Sequence, residues 1–66
     1  MNYSMPQPAA LSPDLAAAYL GLGRTTTYRL IKEGRLRSIK VGRRRLVPAE
    51  EITRFLADEI EAQENP

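Results

Sequence analysis

The spacing of apolar residues along this 66-residue chain predicts three helices. The first lies in SPDLAAAYL, where Ser12 is a suitable cap and Pro13 suits the first helical position. Leucine and alanine, which are good helix formers, fill most of this stretch. Gly21 and Gly23 then interrupt the pattern, so the segment GLG is predicted to be a tight turn.

The second predicted helix, RTTTYRLIKEG, separates into two faces. Its apolar side carries Thr26, Thr27, Leu30 and Ile31, and Gly34 is predicted to end the helix in a left-handed conformation. The other side holds three cations, a hydroxyl group and a tyrosine, namely Arg24, Thr25, Tyr28, Arg29 and Lys32. Two short helices joined by a glycine-containing turn are typical of a helix-turn-helix. Because a merely solvated face usually mixes charges of both signs, this basic face favours an anionic partner.

Between Ser38 and Val47 the pattern changes to two-residue alternation, which predicts a two-stranded hairpin. Gly42 supplies its turn. A loop of two residues places Ile39 opposite Leu46, whereas a loop of three places it opposite Val47, and the sequence leaves both registers open. The basic run KVGRRR forms the tip, so its cations are predicted to be held in place by the fold.

A third helix, AEEITRFLADEIEAQ, is predicted to be opened by Pro48. Ile52, Phe55, Leu56 and Ile60 form one apolar stripe along it. Its acidic outer face would be repelled by nucleic acid, so this helix is expected to lie away from a polyanionic partner. The predicted core is Ala17, Leu20, Leu22, Thr26, Leu30, Ile31, Leu36, Ile52, Phe55 and Leu56.

The order helix, turn, helix, basic hairpin, helix predicts a mainly α fold with a small β-hairpin, which is a winged helix-turn-helix. This domain is predicted to span residues 10–62, after a disordered lead-in at 1–9 and before a frayed tail at 63–66. A chain of this length forms one domain and buries only about 60% of its unfolded surface, so marginal stability is expected.

Charge is segregated along the chain. Residues 24–45 carry nine cations against one carboxylate, a net charge of +8, whereas residues 46–66 carry one cation against six carboxylates, a net charge of −5. The basic segment points to a polyanionic partner. No apolar run approaches the ~20 residues of a membrane span. The N-terminus lacks the basic and apolar regions of a signal peptide, so no membrane association is expected.

The absence of cysteine and histidine excludes disulfides, zinc fingers and metal ligation by those side chains. The carboxylates fall mainly on one solvated helix, so the sequence predicts no enzyme, no cofactor, no metal and no small-molecule ligand. An RNA-binding or adaptor role, with the acidic last helix as the working surface, stays open as a less favoured alternative. Against RNA, the chain offers no aromatic platform for stacking bases.

Residues 11 to about 57 resemble the excisionase-type DNA-binding domain, the compact relative of the MerR winged helix. The similarity lies in the capped helix and turn AAAYLGLG, the segment TTTYRLIKEGRL, the wing KVGRRR, and Pro48 at the last helix. Gly23 departs from the family pattern, which often has a serine cap there. The resemblance implies that the second helix enters the major groove and that the wing lies along the adjacent backbone or minor groove.

Base and phosphate contacts on the recognition helix are predicted for Arg24, Thr25, Tyr28, Arg29 and Lys32. Arginine pairs with guanine in the commonest specific contact, and threonine touches the thymine methyl group. For Tyr28, packing against Leu36 or the wing stays open as the alternative. On the wing, contacts are predicted for Lys40, Gly42, Arg43, Arg44 and Arg45.

Within the wing, Arg43 and Arg44 suit a narrow minor groove, whereas Lys40 and Arg45 suit phosphates. Two further candidates for phosphate contact, Arg35 and Arg37, flank the base of the hairpin. One of these two arginines pairs instead with an acid of the third helix in the alternative interpretation.

The resemblance implies double-stranded DNA as the partner and an excisionase, a recombination directionality factor, as the function. Excisionases bind as several copies side by side, bend the DNA and help an integrase to favour excision. A small prophage- or plasmid-type transcription regulator is the alternative, and no residue separates the two. Ile60 is assigned either to the edge of the core or to docking of another copy or an integrase. A cytoplasmic location, in a bacterial or phage-encoded protein, is expected.

Overall fold

A computed structural model describes residues 8–64 of the chain. The elements in chain order are β1 (Ala10–Leu11), α1 (Pro13–Leu20), α2 (Arg24–Lys32), β2 (Ile39–Val41), β3 (Arg44–Pro48) and α3 (Ala49–Glu64). The three helices and the hairpin are those that the sequence predicts, and the mainly α winged helix-turn-helix is confirmed. The predicted lead-in and tail fall largely on residues outside the described range.

The ends of the first two helices follow local signals in the sequence. The Leu15 N–H donates to Ser12 Oγ over 3.2 Å, so Ser12 caps α1. Gly21 ends α1 with a φ of 71°, a conformation that side chains with a Cβ rarely adopt. Gly23 caps α2 without a side chain, and the Thr27 hydroxyl donates back to the Gly23 carbonyl over 3.0 Å. This bond supports the start of α2 from inside the helix.

The hairpin adopts the shorter of the two loops that the sequence left open. Ile39 pairs with Leu46 and Lys40 with Arg45, which leaves Gly42 and Arg43 as the loop. Gly42 has a φ of 61°, as the first loop residue of a type II′ turn requires. Any other residue at Gly42 would be strained by this backbone conformation, although there is open space around it.

The sheet has a third strand that the sequence analysis missed. β1 pairs antiparallel with β3, with Leu11 opposite Val47, and the strand order is β1-β3-β2. The Ala49 N–H donates to the Ala9 carbonyl over 2.9 Å and extends this pairing. The predicted third helix begins at Ala49, where α3 begins, and Pro48 directly before it is the last residue of β3.

The core lies between the helices and the inner face of the sheet. Its buried residues are Leu11, Ala16, Leu30, Leu36, Val47 and Phe55, with Leu20, Ile31 and Ile52 packed against them. Ala17 is buried as predicted. Leu22 and Leu56 were predicted to be core residues but are 36% and 45% exposed. Leu22 lies in the turn beyond α1, and Leu56 is rotated by about 100° around α3 from the buried Phe55.

Two further predictions about burial are resolved by the structure. Thr27, and not Thr26, is the fully buried threonine of α2. Ile60 is 59% exposed, which rules out a place at the edge of the core. Within residues 8–64, every helix is too short or too polar to cross a membrane.

A nearly buried carboxylate joins α3 to the turn between α2 and β2. Glu51 Oε1 accepts the backbone N–H of Arg37 over 3.1 Å, and both carboxylate oxygens accept hydrogen bonds from Arg54. The hydrogen bonds from Arg54 hold the pKa of Glu51 below its usual value, and they outweigh burial, which acts in the opposite direction. Glu51 is therefore ionised in the folded protein at neutral pH.

This lowered pKa predicts how the stability of the protein depends on pH. A carboxylate with a depressed folded pKa stabilises the fold above its unfolded pKa of 4.5, and this contribution is lost as the pH falls through the folded pKa. We expect wild type to have a higher Tm than Glu51→Gln at neutral pH, and the difference to shrink below about pH 4.5. Thermal unfolding at a series of pH values measures this. Glu50→Gln, at the exposed neighbouring position, is the control, and its Tm should stay close to that of wild type at every pH. The prediction would be contradicted if the difference in Tm between wild type and Glu51→Gln did not vary with pH.

Candidate nucleic-acid interface

The predicted recognition residues form one exposed stripe along α2. Arg24, Thr25, Tyr28, Arg29 and Lys32 are all exposed. The last four are spaced at i, i+3, i+4 and i+7, which places them on one side of a helix. From its first to its last residue α2 rises about 12 Å, which is close to the width of the DNA major groove. The stripe therefore has the length and the chemistry to contact base edges.

An acidic residue of α1, which the sequence analysis did not assign to the interface, contacts this stripe. Asp14 Oδ1 accepts a hydrogen bond from Arg24 Nε over 2.9 Å and lies 3.4 Å from the Tyr28 hydroxyl. Within residues 8–64, the terminal amino groups of this guanidinium have no hydrogen-bond partner, so they can reach a further acceptor. Arg29 Nε lies 4.0 Å from Glu33 Oε2, a weak pair on the same helix.

An open groove lies between α2 and the wing. Pro13, Tyr28, Ile31, Lys32 and Arg45 line this groove, which has a volume of about 610 Å³. Arg45 Nη1 also donates to Ser38 Oγ over 2.9 Å, which steadies the guanidinium beside the groove. The structure thus brings together recognition-helix and wing residues that are far apart in the sequence.

The register of the hairpin sets the direction of each wing cation. Lys40 lies directly opposite Arg45, so these two like charges share one face and repel each other. Arg44 pairs with Val41 on the other face, and Arg43 lies in the loop. A bound polyanion would relieve the repulsion between the neighbouring cations.

At the base of the hairpin, the two candidate arginines behave differently. The guanidinium of Arg35 forms a salt bridge with Glu59 of α3, as the alternative interpretation predicts. Arg37 uses its backbone N–H to bind Glu51, while its side chain is exposed and forms no salt bridge within residues 8–64. Of this pair, Arg37 is the one whose cation is available to an external anion.

Among residues 8–64, most of the cations in the basic segment form no salt bridge. Within the part of the chain that the structure describes, Arg24, Arg29 and Arg35 each pair with a carboxylate. The six cations that form no salt bridge there are Lys32, Arg37, Lys40, Arg43, Arg44 and Arg45. They occupy the end of α2, the turn that follows it and the wing, and two of them, Lys32 and Arg45, line the groove.

Comparison with known proteins agrees with this architecture. Residues 10–59 match the family model of the helix-turn-helix domain. Over 53 residues the chain is 40% identical to a probable excisionase of Saccharopolyspora erythraea, a match that covers 80% of this chain and 54% of that protein. The chain thus spans about half the length of this relative. No solved structure matches the chain. The chain belongs to the helix-turn-helix domain family, and the resemblance to the excisionase-type DNA-binding domain is confirmed.

Proposed function

We propose that this protein is a DNA-binding excisionase that acts without catalysis, as a recombination directionality factor. The observation that carries the proposal is the group of six cations that form no salt bridge within residues 8–64; they lie at the end of α2, in the turn after it and on the wing, and two of them line the groove. A surface of this kind matches the regular phosphate charge of a duplex. The similarity to a probable excisionase supports the choice of this function among those of small helix-turn-helix proteins. A cytoplasmic, DNA-associated location is part of the proposal.

The contacts divide between sequence recognition and positioning. The exposed stripe of α2 enters the major groove, where Arg24 and Arg29 contact base edges and Thr25 contacts a thymine methyl group. The wing lies along the neighbouring backbone or minor groove, and its cations bind phosphates. Tyr28 and Lys32 line the groove between α2 and the wing. They contact the DNA backbone that lies between the major-groove site of α2 and the site of the wing.

Arg24 is expected to read sequence, whereas Arg43 of the wing is expected to contribute to binding on any DNA. Arg24→Ala should cost ~1–3 kcal/mol on the target site and relax the preference at one or two base pairs. Arg43→Ala should weaken binding to target and scrambled DNA by the same factor. Competition titrations on a set of single-base target variants measure both effects. Equal losses on every sequence for both variants would contradict this division.

Two surfaces that expose apolar side chains, one on the acidic α3 and one on the basic wing, support contact between copies on adjacent sites. Leu56 and Ile60 are exposed on the acidic α3, and Ile39 and Val41 are exposed on the wing beside Arg44. Two α3 surfaces would repel each other, so α3 of one copy against the wing of the next is the favoured arrangement. Such contacts would bind the copies cooperatively and bend the DNA. An integrase would contact the assembled array.

A gel-shift titration tests the proposed function. The probe is a few hundred base pairs of DNA flanking the protein's own gene, with competitor DNA at physiological salt. An excisionase should give a ladder of cooperative complexes whose mobility depends on DNA bending. One discrete complex at a promoter would favour a small transcription regulator instead. Absence of any complex even at low salt would exclude DNA as the partner and favour an adaptor role for α3.

A further inference from the structure

Three side-chain contacts join α3 to the turn between α2 and β2. The Arg37 backbone N–H donates to Glu51 Oε1 over 3.1 Å, and Arg54 Nη2 donates to the Arg35 carbonyl over 3.0 Å. The Arg35 guanidinium also forms a salt bridge with Glu59. The turn is therefore held on both its backbone and its side chains by one helix.

Glu51 is at the centre of this set of contacts. It is only 9% exposed, and its carboxylate accepts from Arg54 Nη2 over 2.8 Å and from Arg54 Nε over 3.0 and 3.1 Å. Arg54 is in turn paired with Asp58. A nearly buried carboxylate whose two oxygens are both satisfied holds its partners in a defined geometry, since leaving any of them unpaired is costly.

The turn that Glu51 holds leads directly into β2, the outer strand of the wing. β2 is three residues long and is an edge strand, because the order of the sheet is β1-β3-β2. It is held by β3 on one side and by the turn at its start. Ser38, in the same turn, accepts a hydrogen bond from Arg45 Nη1 over 2.9 Å, so the turn also holds the guanidinium that lines the groove with Tyr28 and Lys32.

We propose that Glu51 is a positioning residue for DNA recognition: from α3, without touching DNA, it fixes the base of the wing so that the wing and α2 engage one duplex together. The proposal rests on DNA binding as the proposed function. It gives α3 a role in the interface even though the helix is acidic and is expected to lie away from DNA. Glu51 binds the turn, and the turn aligns the wing cations.

The first test is a double-mutant cycle for DNA binding with Arg43→Ala as the second substitution. Glu51→Ala should weaken binding at least about 30-fold, because the wing contacts, at roughly fivefold each, are lost together. Glu51→Gln keeps an oxygen for the Arg37 N–H but loses the charge that pairs with Arg54, so an intermediate loss is expected. Arg43→Ala should cost about fivefold at ~0.15 M salt in wild type and less than twofold in Glu51→Ala, whose wing is already displaced.

A matched control separates positioning from a change of charge or of stability. Glu50→Gln removes the same charge from the neighbouring, exposed position of α3 and should leave the cost of Arg43→Ala unchanged. All titrations are made at a temperature at which circular dichroism shows each variant to be folded. A purely structural role of Glu51 would lower Tm but would leave affinity and the cost of Arg43→Ala unaltered in the folded protein.

Amide hydrogen exchange of the free protein supplies a test that needs no DNA. In Glu51→Ala, which removes the acceptor of the Arg37 N–H, the amides from Arg37 to Val41 should exchange at least about tenfold faster than in wild type, while the pairing of β1 with β3 keeps its protection. Unchanged exchange in this segment, or a full cost of Arg43→Ala in the Glu51→Ala background, would overturn the proposal. Failure of wild type to bind DNA would instead refute the proposed function, and hydrogen exchange would still decide whether Glu51 holds the wing.

Discussion

Replacing Leu36 by alanine is expected to remove much of the stability of the protein. Leu36 is fully buried in the turn between α2 and the wing, where it packs in the core with Leu30 and Phe55. A Leu→Ala change at such a site costs ~2–5 kcal/mol, because the lost contacts leave a cavity that closes only in part. At ~0.05–0.15 kcal/mol per residue, a chain of this size has a total of only ~3–10 kcal/mol.

The chain offers a control with the same chemistry at an exposed site. Leu56→Ala removes the same atoms from α3, where the side chain is 45% exposed, and should change the free energy of unfolding by ~0.5 kcal/mol or less. Urea denaturation followed by circular dichroism measures both variants. If both variants lost stability equally, the core would not be centred on Leu36.

The helices could be predicted from sequence because their signals are local. Ser12 and Pro13 mark the start of α1, Gly21 marks its end, and Gly34 follows α2 with the left-handed backbone that was expected. These positions depend on capping and on backbone conformation within a few residues. The exposed stripe of α2 was equally predictable, since helical periodicity alone places its residues on one side.

The features that the sequence analysis missed depend on partners far away in the chain. β1 has two residues, too few to show a period, and forms because Leu11 reaches Val47 across 36 positions. The burial of Val47 has the same origin, since it follows from which face of the sheet meets the helices. A periodic pattern also locates a buried stripe only to within about one residue, which explains why Thr27 is buried in place of Thr26.

The sequence predicted which cations could meet DNA, but not which of them are already neutralised. Asp14 lies ten positions from Arg24, and Glu59 lies 24 positions from Arg35, so neither pair follows from helical spacing. Counting charges along the sequence gave residues 24–45 a net charge of +8, and every cation in this segment was a candidate for contact with DNA. The fold divides them into three that pair with carboxylates and six that form no salt bridge within residues 8–64.

This division predicts how DNA affinity depends on salt. If the six cations without salt bridges each neutralise one phosphate, the logarithm of affinity should fall with the logarithm of salt concentration with a slope near −5, at about −0.9 per phosphate. Each such contact contributes roughly fivefold in affinity at ~0.15 M salt. Removing the wing cations Arg43 and Arg44 together should therefore weaken binding roughly 30-fold and bring the slope to about −3.6.

Fluorescence anisotropy with a labelled duplex, recorded over a range of salt concentrations, measures affinity and slope for each variant. Arg35→Ala is the matched control, because it removes a guanidinium that Glu59 already neutralises and should leave the slope near that of wild type. If Arg35→Ala made the slope less steep by as much as Arg43→Ala does, net charge alone would account for binding. A slope that changes only for Arg43 and Arg44 would instead show that the wing holds these two cations on the phosphates, since only cations placed on the backbone release its counterions.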